Sequence, residues 1–230
     1  MVAMTKNQTK SRPKAVIWDM DGVIADTGPY HFKAWHKVFL ERGVELTEED
    51  FKKNFGKRND TIIRNTLGDG IAMAEIEAIS EDKETTFRRL VKNNMKPLPG
   101  VTRLIKALAR GGFKQALGSS APVENVWLIL KSLGIADAFQ AIASGDEVTE
   151  GKPSPQGFLL AARKLAIEPR NCVVIEDAVA GVTAAKRAGM KCLAVTNTHP
   201  RASLAEADLV VDTLEEITPS VLEGLFNCEG

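Results

Sequence analysis

Apolar residues arrive in two alternating patterns along this chain: short unbroken runs, and longer stretches in which they recur every three or four positions. The first run, Ala15-Val16-Ile17-Trp18, is partly β-branched and ends abruptly at Asp19-Met20-Asp21-Gly22. A continuous apolar run of that length predicts a strand buried on both faces. Similar runs cover residues 113–117, 138–143, 172–175, 192–195 and 209–211, and the first three of these end at Gly118-Ser119-Ser120, Ser144-Gly145-Asp146 and Glu176-Asp177. Between them, helical periodicity predicts helices over 101–110, 123–133, 154–165 and 179–188, with Gly111, Gly134 and Gly189 as stop signals. Alternation of this kind predicts an α/β fold, a Rossmann-like parallel sheet flanked by helices and joined by right-handed crossovers.

Residues 29–95 break the alternation, because they carry several helical patterns and no convincing strand. Pro29 can open one helix reaching Arg42, Thr47 can cap another through Phe55, and 59–67 and 72–93 supply the rest. Pro97-Leu98-Pro99-Gly100 marks the return to alternation. The expectation is an α/β core, 1–28 and 96–230, interrupted by an all-helical cap, 29–95, that sits over the sheet. Residues 1–12 are polar and aperiodic, the pattern of a mobile tail.

Composition adds exclusions. With 44% hydrophobic and 26% charged residues, the 230-residue chain can bury a sizeable core. Thirty basic and thirty acidic residues cancel to a formal charge of zero, so no global field recruits nucleic acid or an acidic membrane surface. No apolar run approaches the ~20 residues that cross a bilayer, and the first ten residues lack the apolar stretch of a signal peptide. A cytoplasmic monomer acting on a small molecule is the expectation. Cys172, Cys192 and Cys228 have no metal-ligand spacing, and Cys172 and Cys192 sit in apolar runs as small hydrophobes.

In a parallel sheet the strand C-termini share one edge, and ligands bind in the crevice beyond it. Asp19, Asp21, Ser119, Glu176 and Asp177 each follow a predicted strand, so topology alone gathers four carboxylates there. Crowded carboxylates with few local bases repel one another unless a cation intervenes, and oxygen-only ligands suit a hard ion such as Mg²⁺. A calcium loop fails on spacing, because Val23 and Ile24 stand where an oxygen ligand and a glycine are required. A P-loop fails too: Gly145 is one residue too far from Gly151-Lys152, and Pro153 replaces the required Ser or Thr.

The stretch from Asp19 to Thr27, Asp-Met-Asp-Gly-Val-Ile-Ala-Asp-Thr, resembles the first motif of the haloacid dehalogenase superfamily of phosphotransferases. Ser119 after Gly118 resembles the second motif, Lys152-Pro153-Ser154-Pro155 the third, and Glu176-Asp177 the fourth, in the family's order. The resemblance implies that Asp19 attacks phosphorus, that Asp21 carries the proton, and that Ser119 and Lys152 meet the phosphoryl oxygens. It also implies a magnesium site from the Asp19 carboxylate, the Asp21 main-chain carbonyl, Glu176 and Asp177. The family's dehalogenases lack the second aspartate, so Asp21 favours phosphate esters over haloacids.

The segment from Asp26 to Trp35 looks like the β-phosphoglucomutase-like branch, which carries a small helical cap in this position. By that resemblance Thr27, His31 and Ser120 line the cleft, Arg58 or Asn59 meets the far part of the substrate, and Lys83 reaches it from a later helix. The bland alternatives are a structural histidine in the apolar seam with Trp35 and Val38, and ordinary surface charges at Arg58 and Lys83. The leading expectation is a magnesium-dependent phosphatase of a small phosphorylated metabolite, such as a sugar phosphate. A β-phosphoglucomutase is the rival, but Pro122 and Val123 stand where such mutases carry a Lys-Asn pair that holds substrate phosphate. A non-catalytic binding protein on the same fold is the third reading.

Overall fold

The computed structural model describes residues 14–92 and 94–227; the expected tail and Cys228 lie outside the described residues. Six strands, β1 (Ala15–Trp18), β2 (Lys114–Gly118), β3 (Ala141–Ala143), β4 (Cys172–Glu176), β5 (Lys191–Val195) and β6 (Leu209–Val211), form one sheet. Every ladder is parallel and the order is β3-β2-β1-β4-β5-β6, which places β1 inside the sheet, between β2 and β4.

The apolar runs are continuous because both faces are covered. In β1, Val16 and Trp18 join the cluster that includes α5 (Val101–Arg110), α6 (Val123–Ser132) and α9 (Pro219–Asn227), whereas Ala15 and Ile17 join that of α7 (Gln156–Leu165) and α8 (Val179–Arg187). Gln115, a polar residue inside a buried strand, is satisfied on both sides: its Oε1 accepts from Trp18 Nε1 at 3.2 Å and its Nε2 donates to the Ile105 carbonyl at 3.1 Å. Cys172 and Cys192 are buried and unpaired, and burial pushes the Cys172 thiol up to about 12.

Some elements are shorter than the pattern predicts. The run 138–143 pairs only over Ala141–Ala143, because Ala136–Ala138 closes a 3₁₀ turn first. The helix expected from 154 begins at Gln156, after Pro155. α9 was not predicted at all.

The segment between β1 and α5 holds four helices: α1 (Gly28–Leu40), α2 (Glu48–Asn54), α3 (Asn59–Leu67) and α4 (Met73–Val91). Pro29 sits in the first turn of α1, and Thr47 Oγ1 accepts from the Asp50 amide at 3.1 Å as the N-cap of α2, a bond worth roughly 1 kcal/mol. These helices bury an apolar cluster of their own, with Trp35, Phe39, Phe51, Ile63 and Ile79 among its members. Phe87 and Val91, late in α4, join the sheet's cluster instead. The outgoing and returning chains lie side by side, with Ala25 bridged to Pro97 and the Leu98 amide donating to the Ile24 carbonyl at 2.9 Å.

Candidate active site

β1 ends directly into Asp19, whose amide donates to the Ile175 carbonyl of β4 at 2.9 Å. That bond brings Asp19 beside Glu176 and Asp177. Oxygens from the three carboxylates lie within 4.8 Å of one another, all on buried residues. Lys152 is the cation among them, donating from Nζ to Asp19 Oδ1 at 2.5 Å and also to Glu176 Oε1. Burial opposes its charge, but Asp19 and Glu176 together hold Lys152 above the usual lysine value. Glu176 Oε2 accepts from the amides of Asp177 and Ala178 at 2.7 and 2.8 Å, and Asp177 accepts from the Thr198 hydroxyl. Gly22 is required here: its φ is +80°, and a Cβ would stand 2.0 Å from Asp177 Oδ2.

One ammonium does not balance three buried carboxylates. Burial first, then Glu176 and Asp21, push Asp19 up to about 7 against the pull of Lys152. Burial and the neighbouring Glu176 and Asp19 raise Asp177 well above the ordinary aspartate value. A buried all-oxygen cluster with a shortfall of positive charge fits a hard divalent cation, with magnesium the plainest candidate.

Asp21 departs from the expectation of four clustered carboxylates. Its side chain turns away from that cluster toward the helical insertion, where Oδ1 accepts from Thr27 Oγ1 at 2.5 Å and from His31 Nε2 at 3.2 Å. On the far side of the ring, Lys83 Nζ lies 2.9 Å from His31 Nδ1. An ammonium only donates, so Nδ1 accepts and the Nε2–H faces Asp21. Burial and Lys83 lower the His31 pKa, which keeps the ring neutral. Burial works against the charged form of Asp21, yet His31, Thr27 and Lys83 hold its carboxyl below the usual range.

The network continues. Lys83 donates to Glu84 Oε1 at 2.8 Å, as does Asn59 Nδ2 at 2.7 Å, and Asn125 Nδ2 of α6 donates to Glu84 Oε2 at 2.5 Å. Lys83 is 2% exposed and Glu84 3%, so the surface-charge reading of Lys83 is wrong. Arg58 is not a surface charge either. Its Nη1 donates to the carbonyls of Gly145, at 2.7 Å, and Val148, which ties the start of α3 to the core.

Ser119 Oγ accepts from the Ala121 amide at 3.1 Å, which leaves its own proton for another acceptor. A small cavity of about 30 Å³ between insertion and core is lined by Asp21, His31, Asn59, Lys83 and Ser120, and walled by Trp35, Phe51 and Phe55. Thr27 is fully buried behind it. Several residues at the site escaped sequence reasoning: Lys57 in the same cavity, Glu84 and Asn125 in the network, and Thr198 on Asp177. Lys57 and Glu84 stand beside the candidates Arg58 and Lys83, but each of the four meets the site through contacts made only in the folded chain.

The haloacid dehalogenase-like hydrolase family profile matches residues 13–189. A β-phosphoglucomutase of Bacillus subtilis is 35% identical over 221 residues, covering 91% of this chain and 93% of the relative. The fructose-1-phosphate phosphatase YqaB of Escherichia coli is 32% identical over 184 residues, covering 80% and 97%. The crystal structure of a β-phosphoglucomutase from Clostridium difficile superposes with a TM-score of 0.86 at 29% identity, covering 94% and 97%. With its family profile spanning the sheet from β1 to α8, this chain belongs to the haloacid dehalogenase-like hydrolases.

Proposed function

We propose that the protein is a magnesium-dependent phosphatase of a small phosphorylated carbohydrate, working through a phosphoryl group carried on Asp19. The observation that carries this reading is the pairing of Asp19 with Lys152, two residues before an aspartate, Asp21, that faces a proton-bearing network instead of the cation cluster. Asp19, Asp177, Glu176 and the Asp21 carbonyl would hold magnesium, whose charge lowers repulsion between a carboxylate nucleophile and an anionic ester.

In the first step an Asp19 oxygen attacks phosphorus, the ester P–O bond breaks, and the leaving alkoxide takes a proton from Asp21. Ser119 donates to a phosphoryl oxygen and Lys152 offsets its charge. The incoming phosphoryl dianion, a like charge beside Asp21, raises that carboxyl's proton affinity, so that Asp21 takes up from solvent the proton it then delivers. In the second step Asp21 takes a proton from water, the water oxygen bonds to phosphorus, and the Asp19–phosphorus bond breaks to release inorganic phosphate and the Asp19 carboxylate. Neutral His31, donating from Nε2, holds Asp21 in place for both steps.

The second reading, a phosphosugar mutase, is favoured by the likeness to the Bacillus subtilis enzyme. Against it, Pro122 and Val123 offer no charged or amide side chain to a substrate phosphate. A phosphate-release screen over sugar phosphates, nucleotides and short phosphorylated acids, with and without magnesium, tests the proposal. Magnesium-dependent release from sugar monophosphates is expected; no release from any ester, with magnesium present, contradicts it.

A further inference from the structure

The start of α6 forms part of the cleft wall and bears on which esters can enter. We propose that Asp146 is a specificity-determining residue: its carboxylate fills, from within the chain, the anion seat at the N-terminus of α6, so that the site selects phosphate monoesters with an uncharged far end and rejects a second phosphate. This rests on the phosphatase reading and narrows its substrate class.

A helix N-terminus normally presents unbonded N–H groups that attract an anion. Here most of those donors are engaged within the chain. Asp146 Oδ2 accepts from the Val123 amide at 2.7 Å. Pro122 has no N–H, the Ala121 amide is spent on Ser119 Oγ, and the amides of Asn125 and Val126 are spent on the Pro122 carbonyl at 3.0 and 3.2 Å. The turn that carries Asp146 is locked to the same loop: the Gly145 amide donates to the Ala121 carbonyl at 2.9 Å, and a Cβ at Gly145 would stand 2.2 Å from the Ser120 carbonyl oxygen.

The cations nearby are also committed. Arg58 serves Gly145, Val148 and Asp60, Arg88 serves Glu81 and Glu124, and Lys83 serves His31 and Glu84. The open cleft of about 480 Å³ outside Ser120 sets two guanidiniums against six carboxylates, Asp146 among them. Lys57, on the insertion side of the inner cavity, donates to the neutral Asn54 Oδ1 at 3.2 Å and is available to a substrate hydroxyl. One ammonium there does not reverse the sign of the cleft.

The test compares β-glucose 1-phosphate with β-glucose 1,6-bisphosphate in the wild-type protein and in Asp146→Asn, which keeps an oxygen to cap α6. Wild-type kcat/KM is expected to favour the monophosphate by tenfold or more, and Asp146→Asn to narrow that ratio several-fold. Equal or better turnover of the bisphosphate by the wild type, or an unchanged ratio in Asp146→Asn, overturns the inference. Calorimetric binding of both esters to Asp19→Asn keeps the two claims separate. Monophosphate preference in binding without turnover of either ester removes the phosphatase reading alone; turnover with the bisphosphate preferred removes the inference alone.

Discussion

Two buried charged clusters meet at Asp19 and Asp21, and they are balanced in opposite ways. At the end of the sheet, Asp19, Glu176 and Asp177 share the single ammonium of Lys152, and Asp19 and Asp177 are pushed upward as a result. In the helical insertion, Lys83 faces one carboxylate, Glu84, whose two oxygens are further bonded by Asn59 and Asn125. Burial works against the Glu84 charge, but Lys83, His31 and Asn59 hold its carboxyl below the ordinary glutamate value. Among the described residues, Asn125 Oδ1 is the buried side-chain atom left without a partner. The first cluster is incomplete without an external cation, whereas the second is nearly complete within the chain. On the proposed mechanism, the difference separates the place where phosphorus is attacked from the network that holds Asp21.

The largest expected effect comes from Asp19→Asn, which keeps the shape but removes the attacking oxyanion. Turnover should fall by roughly 10³-fold or more while the circular dichroism spectrum is unchanged. Near-normal turnover would remove Asp19 from the reaction. Asp177→Ala comes next: the magnesium concentration for half-maximal rate should rise ~10- to 100-fold, since a ligand of the hard-ion site is lost. An unchanged magnesium requirement would take Asp177 out of the site.

The balanced cluster responds through stability. Lys83→Met leaves Glu84 buried without its cation and should cost about 3 kcal/mol or more in urea unfolding. Because the folded Glu84 pKa is depressed, its stabilisation is fully present above the ordinary value of 4.5 and is lost as the pH falls through the folded value. Glu84→Gln should therefore flatten the acid limb of the melting temperature measured against pH; an unaltered limb would contradict the balance described for this network. The smallest effect has the opposite sign. In chelator-treated protein, Asp177→Asn relieves repulsion at the unbalanced cluster and should raise stability by about 1 kcal/mol. Destabilisation there would mean that the cluster is not short of positive charge.

How much of this was legible in the sequence depended on whether the signal was local. β1 and helices α3 and α5 stand where the patterns put them, because an unbroken apolar run and a clean helical period are read within one segment. Asp19, Ser119, Lys152, Glu176 and Asp177 were legible because each follows a strand or sits in a short motif, and the parallel topology does the rest. The direction of Asp21 was not legible. Its turn toward Thr27 and His31 depends on how the insertion packs, as does the burial of Lys83, a residue that any composition rule assigns to the surface. The contacts of Arg58 were not legible either, because the carbonyls that accept from its Nη1 lie roughly ninety positions away in the chain. Asp146 stood at a predicted strand end with nothing to mark its role, and Thr198 stood in no motif, since a capping carboxylate and a hydroxyl on a clustered aspartate are recognised only by what they touch.

In the proposed reaction water, not a sugar hydroxyl, receives the phosphoryl group from Asp19. Phosphorus NMR of the protein incubated with magnesium, β-glucose 1-phosphate and a trace of the 1,6-bisphosphate reads the acceptor directly. Inorganic phosphate should accumulate over many turnovers, because Pro122 and Val123 give a waiting sugar phosphate nothing to hold. Stoichiometric glucose 6-phosphate with little free phosphate would contradict the account and make the protein a mutase.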